Sequence, residues 1–148
     1  MFIDLSVRRF RAADLAAILA IERASFGRDA YDRNLFADLA RTCGGLFLVA
    51  CRGTRVIAYS VACVRLNRAE LVSIAVDPRH RQRGAASELI VATLRRLRRR
   101  RVTRFALMVK VTNRAALAFY TKHGFRKVRR VRRYYEDGSD GWVFVRVL

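Results

Sequence analysis

Apolar residues recur along the chain with two different periods, and each period predicts one kind of secondary structure. Leu15, Ile18 and Leu19 lie three or four residues apart, the spacing that gathers side chains on one face of a helix. Runs rich in β-branched residues and bounded by turn residues predict strands instead. Predicted helices cover residues 12–25, 32–41, 84–99 and 113–123. Predicted strands cover residues 2–8, 46–51, 56–66, 70–76, 105–109, 126–135 and 141–147.

The order of these elements predicts the fold class. A meander of antiparallel strands is followed by strands that alternate with helices, which is typical of a mixed α/β sheet. No repeat or low-complexity linker interrupts the 148 residues, and 53% hydrophobic residues suffice for one packed core. We therefore expect one domain over residues 1–148.

The chain is strongly basic, with 31 Lys and Arg residues against 12 Asp and Glu residues and a formal charge of +19. Most of the excess lies in residues 75–148, which hold 20 basic and 5 acidic residues. Two basic clusters, at residues 95–101 and 126–133, are expected either to attract RNA or another polyanion without reading its sequence or to form solvated faces. Because few of the basic residues are Lys, arginine-rich coding is an alternative explanation of the charge.

Cys43, Cys51 and Cys63 are odd in number and lack metal-ligand spacing. They predict neither a disulfide framework nor a zinc site, so we expect a reducing, cytoplasmic environment and no metal. His80 and His123 also lack ligand spacing and are predicted to be structural or surface residues. No apolar stretch is long enough for a signal peptide or a membrane span, so no membrane partner is expected.

An anion site is predicted where an apolar strand ending at Val76 runs through Pro78 into a basic turn containing Gly84 and then into a helix. Successive backbone N–H groups in such a turn, together with the partial positive charge of the helix start, can hold a diphosphate. Gly84 lets the backbone approach the ligand, and the small Ala86 lets the helix pack near it. Taken alone, the pattern also fits an ordinary strand-to-helix loop.

Two motifs of the chain resemble the signature of the GNAT acetyltransferase superfamily. Residues 76–86 match V-x-P followed by (Q/R)-x-x-G-x-(G/A), and residues 113–125 match N-x-x-A-x-x-x-Y-x-x-x-G-F. Their order, with a helix and a strand between them, makes the resemblance specific. Within the superfamily, the nearest likeness is to the ribosomal-protein alanine N-acetyltransferases and their protein N-terminal relatives, which share the late pair Tyr134-Tyr135.

The resemblance implies the GNAT fold, an α/β fold with a single mixed, mostly antiparallel, twisted sheet of about seven strands and about four flanking helices, splayed between the fourth and fifth strands. It also implies acetyl-CoA as the cosubstrate. In such enzymes the pantetheine arm bonds to the backbone of the fourth strand, and the diphosphate lies on the turn that follows. The residues assigned to the cosubstrate in this way are Ile74, Ala75, Val76, Arg81, Gln82, Arg83, Gly84, Ala85, Ala86, Ser87 and Asn113.

Direct acetyl transfer to a primary amine, through a tetrahedral intermediate, is implied by the same resemblance. Tyr120 matches the family's acid, which protonates the departing thiolate. The backbone N–H of Val76 matches an oxyanion donor. The alternative for Tyr120 is a core side chain packed beside Phe119.

The general base is not where the alanine acetyltransferases carry it. Their Glu stands five residues before the Asn, and this chain has Met108 there, which cannot accept a proton. Glu70 matches the catalytic Glu of the histone acetyltransferase branch, and we expect it to act through water in the same cleft as Met108. Alternatively, Glu70 offsets the charge of Arg65 or Arg68.

The acceptor is expected to be a protein or peptide N-terminal α-amine, flanked by Phe26, Tyr31, Tyr134 and Tyr135 as the resemblance implies. We expect the enzyme to be a monomer or a homodimer. One alternative is an acetyltransferase for a small-molecule amine, such as a polyamine, an antibiotic or an amino acid. Another is a non-catalytic CoA-binding or nucleic-acid-associated module, which Met108 would suit.

Overall fold

A computed structural model describes residues 5–148 of the chain. Seven strands form one sheet in the order β1-β2-β3-β4-β5-β7-β6, with antiparallel pairs and one parallel pair. The mixed α/β class expected from the order of elements is confirmed. The strands are β1 (Leu5–Arg9), β2 (Phe47–Arg52), β3 (Arg55–Arg65), β4 (Arg68–Val76), β5 (Arg104–Lys110), β6 (Arg126–Val131) and β7 (Gly141–Val147). The α-helices are α1 (Leu15–Phe26), α2 (Arg33–Thr42), α3 (Ala85–Arg99) and α4 (Arg114–Lys122).

Two compact units divide the chain. The first comprises the described residues up to Cys63 together with Val72–Arg96, and the second comprises Val64–Leu71 together with Leu97–Leu148. No helix in the described part of the chain has the length and apolar character needed to cross a membrane.

In the first unit, strand β2 is buried on both of its faces because its side chains alternate between two core clusters. Phe47 belongs to the cluster that packs under α1 and α2, where Phe36 meets Tyr59 edge to face with ring centroids 5.5 Å apart. Leu48 points the other way and packs in the cluster that contains Leu89 of α3. The apolar faces of these three helices are therefore anchored on β2 and β3.

The expectation that the cysteines form no disulfide is wrong. Cys43 follows the end of α2, Cys63 lies on β3, and their sulfur atoms are bonded at 2.04 Å with Cα atoms 5.1 Å apart. The two residues are 20 positions apart in sequence, and only the packing of α2 on the sheet brings them together. Cys51 is a free, buried thiol.

The second unit is built on the β5-β7-β6 ladder with α4 packed against it. Asn113 begins α4, since its side-chain oxygen accepts a hydrogen bond from the amide of Ala116 at 3.2 Å. Phe105 of β5 and Phe125 pack with ring centroids 5.5 Å apart. The parallel pairing of β4 with β5 joins Arg68–Glu70 to Arg104–Ala106 and ends there, as the implied splay between these strands requires.

Five of the predicted strands end within two residues of the observed bounds, and the first and the sixth differ in other ways. The first begins at Leu5, and residues 2–4 of the prediction lie outside the described part of the chain. The strand predicted over residues 126–135 ends at Val131. Beyond it, the Asp140 carboxylate accepts the Arg133 amide at 3.0 Å and pairs with Arg130 at 2.7 Å, which turns the chain away from the sheet.

Candidate active site

The turn after β4 is organised by Asp77, a buried residue. Its backbone N–H donates to the carbonyl of Ile57 at 2.7 Å, which fixes the end of the strand. Its carboxylate accepts the Arg79 amide at 3.0 Å and pairs with the Arg79 guanidinium at 3.1 Å. The hydrogen bond from the guanidinium holds the pKa of Asp77 below its ordinary value, so the carboxylate stays charged and keeps Pro78–His80 in a 3₁₀ turn.

Two left-handed residues, Gln82 (φ 61°) and Gly84 (φ 85°), then redirect the chain into α3. A Cβ built on Gly84 would meet nothing within 4 Å, so the backbone angle and not a lack of space favours glycine there. Within residues 5–148, the amides of Gln82 to Ala86 have no backbone acceptor outside α3. These N–H groups are therefore available at the start of a helix.

The charge of this turn suits an anion. Arg81 and Arg83 are exposed, and burial lowers the pKa of His80, so the two guanidinium groups supply the positive charge. Residues Ala85 to Ser87 form the first turn of α3, where the helix dipole is positive. The turn thus has the free amides, the left-handed backbone and the charge that fit the diphosphate of coenzyme A.

On β4 itself, Ile74 and Val76 are half-buried while Ala75 is buried in the core beneath the strand. Asn113 is exposed, and its side-chain oxygen is occupied in capping α4. Contacts of these four residues with the pantetheine arm stay predictions.

The second unit contains an open cavity of about 310 Å³. Glu70 and Met108 both line it, because Glu70 pairs with Ala106 across the β4–β5 ladder and Met108 lies two residues further along the same face of β5. Glu70 is exposed and has no ion pair in the described part of the chain, so the proposed pairing with Arg65 or Arg68 is not seen. The cavity is lined by Glu70, Ala106, Leu107, Met108, Arg129, Val131, Tyr134 and Val143.

Tyr120 is buried on the core side of α4. Its ring packs edge to face against Phe119 and Phe125, with centroids 5.2 and 5.6 Å away. Burial raises the pKa of the phenol, and the nearby Tyr135 raises it further, so the hydroxyl holds its proton. Tyr120 therefore packs in the core beside Phe119, as the alternative interpretation expected, and its phenol is also protonated. It is not among the described residues that line the cavity.

Tyr134 and Tyr135 lie in the loop between β6 and β7, not on a strand as predicted. Their rings pack edge to face at 5.0 Å, and Tyr134 lines the cavity. Asp137 holds the loop through an ion pair with Lys110 at 2.9 Å and hydrogen bonds from Ser139. The Ser139 hydroxyl and the Lys110 ammonium lower the pKa of Asp137, which keeps this anchor charged.

Sequence reasoning missed Gly141, which makes room for this arrangement. A Cβ built there would lie 2.7 Å from the methyl group of Met108 and 3.4 Å from the ring of Tyr135. Its backbone φ is not in the left-handed region, so the requirement for glycine is one of space. A glycine that opens a strand directly after a turn gives no sequence signal of this kind.

Sequence reasoning also missed Glu22, a residue of α1 that is buried, with only 1% of its surface exposed. One carboxylate oxygen accepts the amide of Tyr31 at 2.8 Å, and the other accepts the hydroxyl of Tyr59. The Tyr59 hydroxyl also lies 2.9 Å from that of Ser73 on β4. The network fixes the segment between α1 and α2, where Tyr31 is half-buried; Phe26, the last residue of α1, is exposed. The available signal was an acidic residue on the apolar face of a helix.

A sequence model of the acetyltransferase (GNAT) family matches residues 13–125, which include both motifs. The chain belongs to this acetyltransferase family. Acetyl-CoA is accordingly the acetyl donor, and the turn at Gln82–Gly84 has the features to hold it. Among the described residues, no group of three or more His, Cys, Asp or Glu side chains is placed to hold a metal ion.

Relatives match this acetyltransferase over part or nearly all of its length. It is 27% identical to an N-alpha-acetyltransferase of Saccharolobus solfataricus, over 98% of this chain and 94% of that protein. It is 33% identical to the [ribosomal protein bS18]-alanine N-acetyltransferase of Escherichia coli K12, over 59% of this chain and 58% of that protein. The crystal structure of Ard1 from Thermoplasma volcanium is 28% identical and superposes with a TM-score of 0.92, over 97% of each chain. The predicted family and fold are thereby confirmed.

Proposed function

We propose that this acetyltransferase modifies the N-terminal α-amine of proteins. The observation that carries the proposal is the open cavity beside Glu70, which combines one carboxylate and the guanidinium of Arg129 with mostly apolar walls and has room for the end of a peptide. The near full-length likeness to an N-alpha-acetyltransferase supports the same acceptor class.

An α-amine suits the weak base that this cavity offers. With a pKa near 8, about a tenth of an α-amine is already neutral at pH 7, whereas a Lys amine near 10.4 is almost entirely charged. Glu70 is exposed, so it receives the ammonium proton through water rather than in a dry pocket. A Lys amine holds its proton more tightly, and Met108 adds no second proton acceptor beside Glu70.

The neutral amine attacks the thioester carbonyl carbon, a C–N bond forms, and the C–S bond breaks. The amine proton passes to Glu70 and solvent, while Tyr120 protonates the departing thiolate and is then reprotonated from solvent. Burial keeps the Tyr120 phenol protonated before the thiolate leaves, so its hydroxyl has a proton to donate to the departing sulfur.

We also infer that the enzyme works in the cytoplasm as one domain, as a monomer or homodimer, with non-specific attraction to RNA or ribosomal phosphate. Exposed basic residues along β6 support the attraction. The disulfide does not exclude the cytoplasm, since intracellular proteins of hyperthermophilic prokaryotes retain such bonds. Loss of RNA binding at moderate salt would agree with phosphate attraction, and salt-resistant, sequence-selective binding would contradict it.

The test is acetylation of an Ala-initiated peptide that contains one internal Lys, followed by thiol release and mass spectrometry. We expect acetylation at the α-amine only. The same peptide with a blocked N-terminus is the control and should release no thiol above background. Acetylation of the Lys, or of polyamines in preference to the free peptide, would overturn the proposal.

A further inference from the structure

We propose that Arg129 makes this enzyme prefer acceptor proteins whose second residue is acidic. The inference rests on the proposed function, because it specifies which N-termini the cavity beside Glu70 selects. It follows from the register of β6, the charges that line the cavity, and the distance between them.

A bulge in β6 directs Arg129 into the cavity. Lys127 pairs with Phe144 and Arg129 pairs with Val143, so Val128 is an extra residue in the ladder. Without the extra residue, position 128 would oppose Val143, and Arg129 would turn to the opposite face with Trp142. The bulge thus places a guanidinium in the same row as Val143 and Met108.

Arg129 also differs from Lys127 and Arg130, the nearest basic residues of β6, in having no partner in the part of the chain that the structure describes. Arg130 pairs with Asp140, and Lys127 lies 4.2 Å above the ring of Trp142 on the other face. Arg129 has no ion pair among the described residues. The cavity therefore has a carboxylate on the β4 side, at Glu70, and an unpaired guanidinium on the β6 side.

The separation of the Glu70 carboxylate and the Arg129 guanidinium matches the distance from the α-amine of an acceptor to its second side chain. β4 and β6 are three strand spacings apart, about 14 Å across the sheet, and Arg129 lies in the row of Met108, about 7 Å further along the strands than the row of Glu70. The Glu70 and Arg129 side chains close part of this gap, and two residues of extended peptide span about 7 Å. With the α-amine beside Glu70, an acidic side chain on the first residue of the acceptor would lie close to the Glu70 carboxylate and be repelled. An acidic side chain on the second residue reaches Arg129 instead.

The experiment compares kcat/KM for peptides that begin Ala-Glu, Ala-Gln and Ala-Lys and are otherwise identical. We expect the wild-type enzyme to favour Ala-Glu over Ala-Gln by about two- to fivefold, the range for an exposed ion pair, with Ala-Lys slowest. Arg129→Gln should remove the preference, so that the ratio of kcat/KM for Ala-Glu to that for Ala-Gln falls to about one. Arg129→Glu should reverse it in favour of Ala-Lys.

Arg126→Gln is the matched control. It removes the same charge from the same strand, but Arg126 does not line the cavity. An equal loss of preference in both variants would show a general charge effect and overturn the proposal. Acetylation of all three peptides without a dependence on Arg129 refutes only this inference. Failure to acetylate any α-amine refutes the proposed function instead.

Discussion

Tyr59 donates its hydroxyl proton to the buried carboxylate of Glu22 and so links the sheet to the segment between α1 and α2. The same carboxylate accepts the amide of Tyr31. We predict that Glu22→Ala lowers the unfolding free energy by about 2 to 5 kcal/mol, because two buried donors lose their acceptor at about 1–3 kcal/mol each. Urea denaturation measures this. Tyr59→Phe, which removes only one donor, should cost less, and an equal or greater loss would contradict the account.

Replacement of the acid and the base should separate chemistry from binding. We expect Tyr120→Phe and Glu70→Gln each to lower kcat more than tenfold, because one loses the proton donor and the other the acceptor. Coenzyme A affinity, measured by calorimetry, should stay near wild type in Glu70→Gln. Wild-type rates in both variants would refute these roles.

Met108 offers a gain-of-function test of the base. Because Met108 and Glu70 line the same cavity, a carboxylate at position 108 should take over proton acceptance. We predict that Met108→Glu restores at least part of the rate lost in Glu70→Gln. The matched control is Met108→Gln in the same background, which has a similar shape and cannot act as a base. Equal rates for the two double variants would contradict the prediction.

Gly84 should matter for the cosubstrate because of its backbone angle. Gly84→Ala places a side chain in the left-handed region at a cost of about 1–2 kcal/mol, and the turn should relax and move the amides of Gln82 to Ala86. We expect weaker coenzyme A binding by calorimetry. Gly53→Ala is the matched control, since Gly53 has φ 59° and no atom within 4 Å of an added Cβ. It should lose similar stability and keep its affinity; equal affinities in both variants would refute the role of the turn.

Lowering the pH should destabilise the first unit, because the Asp14 carboxylate then becomes protonated. Arg8 donates to this carboxylate at 2.8 and 2.9 Å and holds its pKa below the ordinary value of 3.8. Since the folded state holds the Asp14 proton less tightly than the unfolded chain, the stabilisation is present above about pH 4 and is lost as the pH falls through the folded pKa. Asp14→Asn should therefore flatten the acid side of a stability–pH curve. Asp29→Asn, which removes an exposed carboxylate from the same unit, is the matched control.

The elements and the cosubstrate turn could be predicted because their signals are local. Helical spacing around Leu15 and the V-x-P motif at Val76 each depend on neighbours within a few residues. The end of β6 could not be predicted, because the Asp140 carboxylate that turns the chain lies seven residues after Arg133. The disulfide likewise depends on how α2 packs on β3, a contact between residues far apart in sequence.

The residues that shape the candidate site were harder to predict than the residues expected to react. Glu70 and Met108 could be placed together because strand alternation fixes their faces. Gly141 could not be recognised, since its role is to leave space for Met108 and Tyr135. Arg129 was one of many arginines in the sequence, and only the bulge at Val128 distinguishes it from the others.

The Cys43–Cys63 bond closes the intervening segment into a covalent ring that contains all of β2 and the hairpin turn at Gly53. A protease that cut the exposed Gly53–Thr54 turn would therefore release no fragment. The nicked protein would migrate as a full-length species on a non-reducing gel and separate into two pieces only after dithiothreitol treatment.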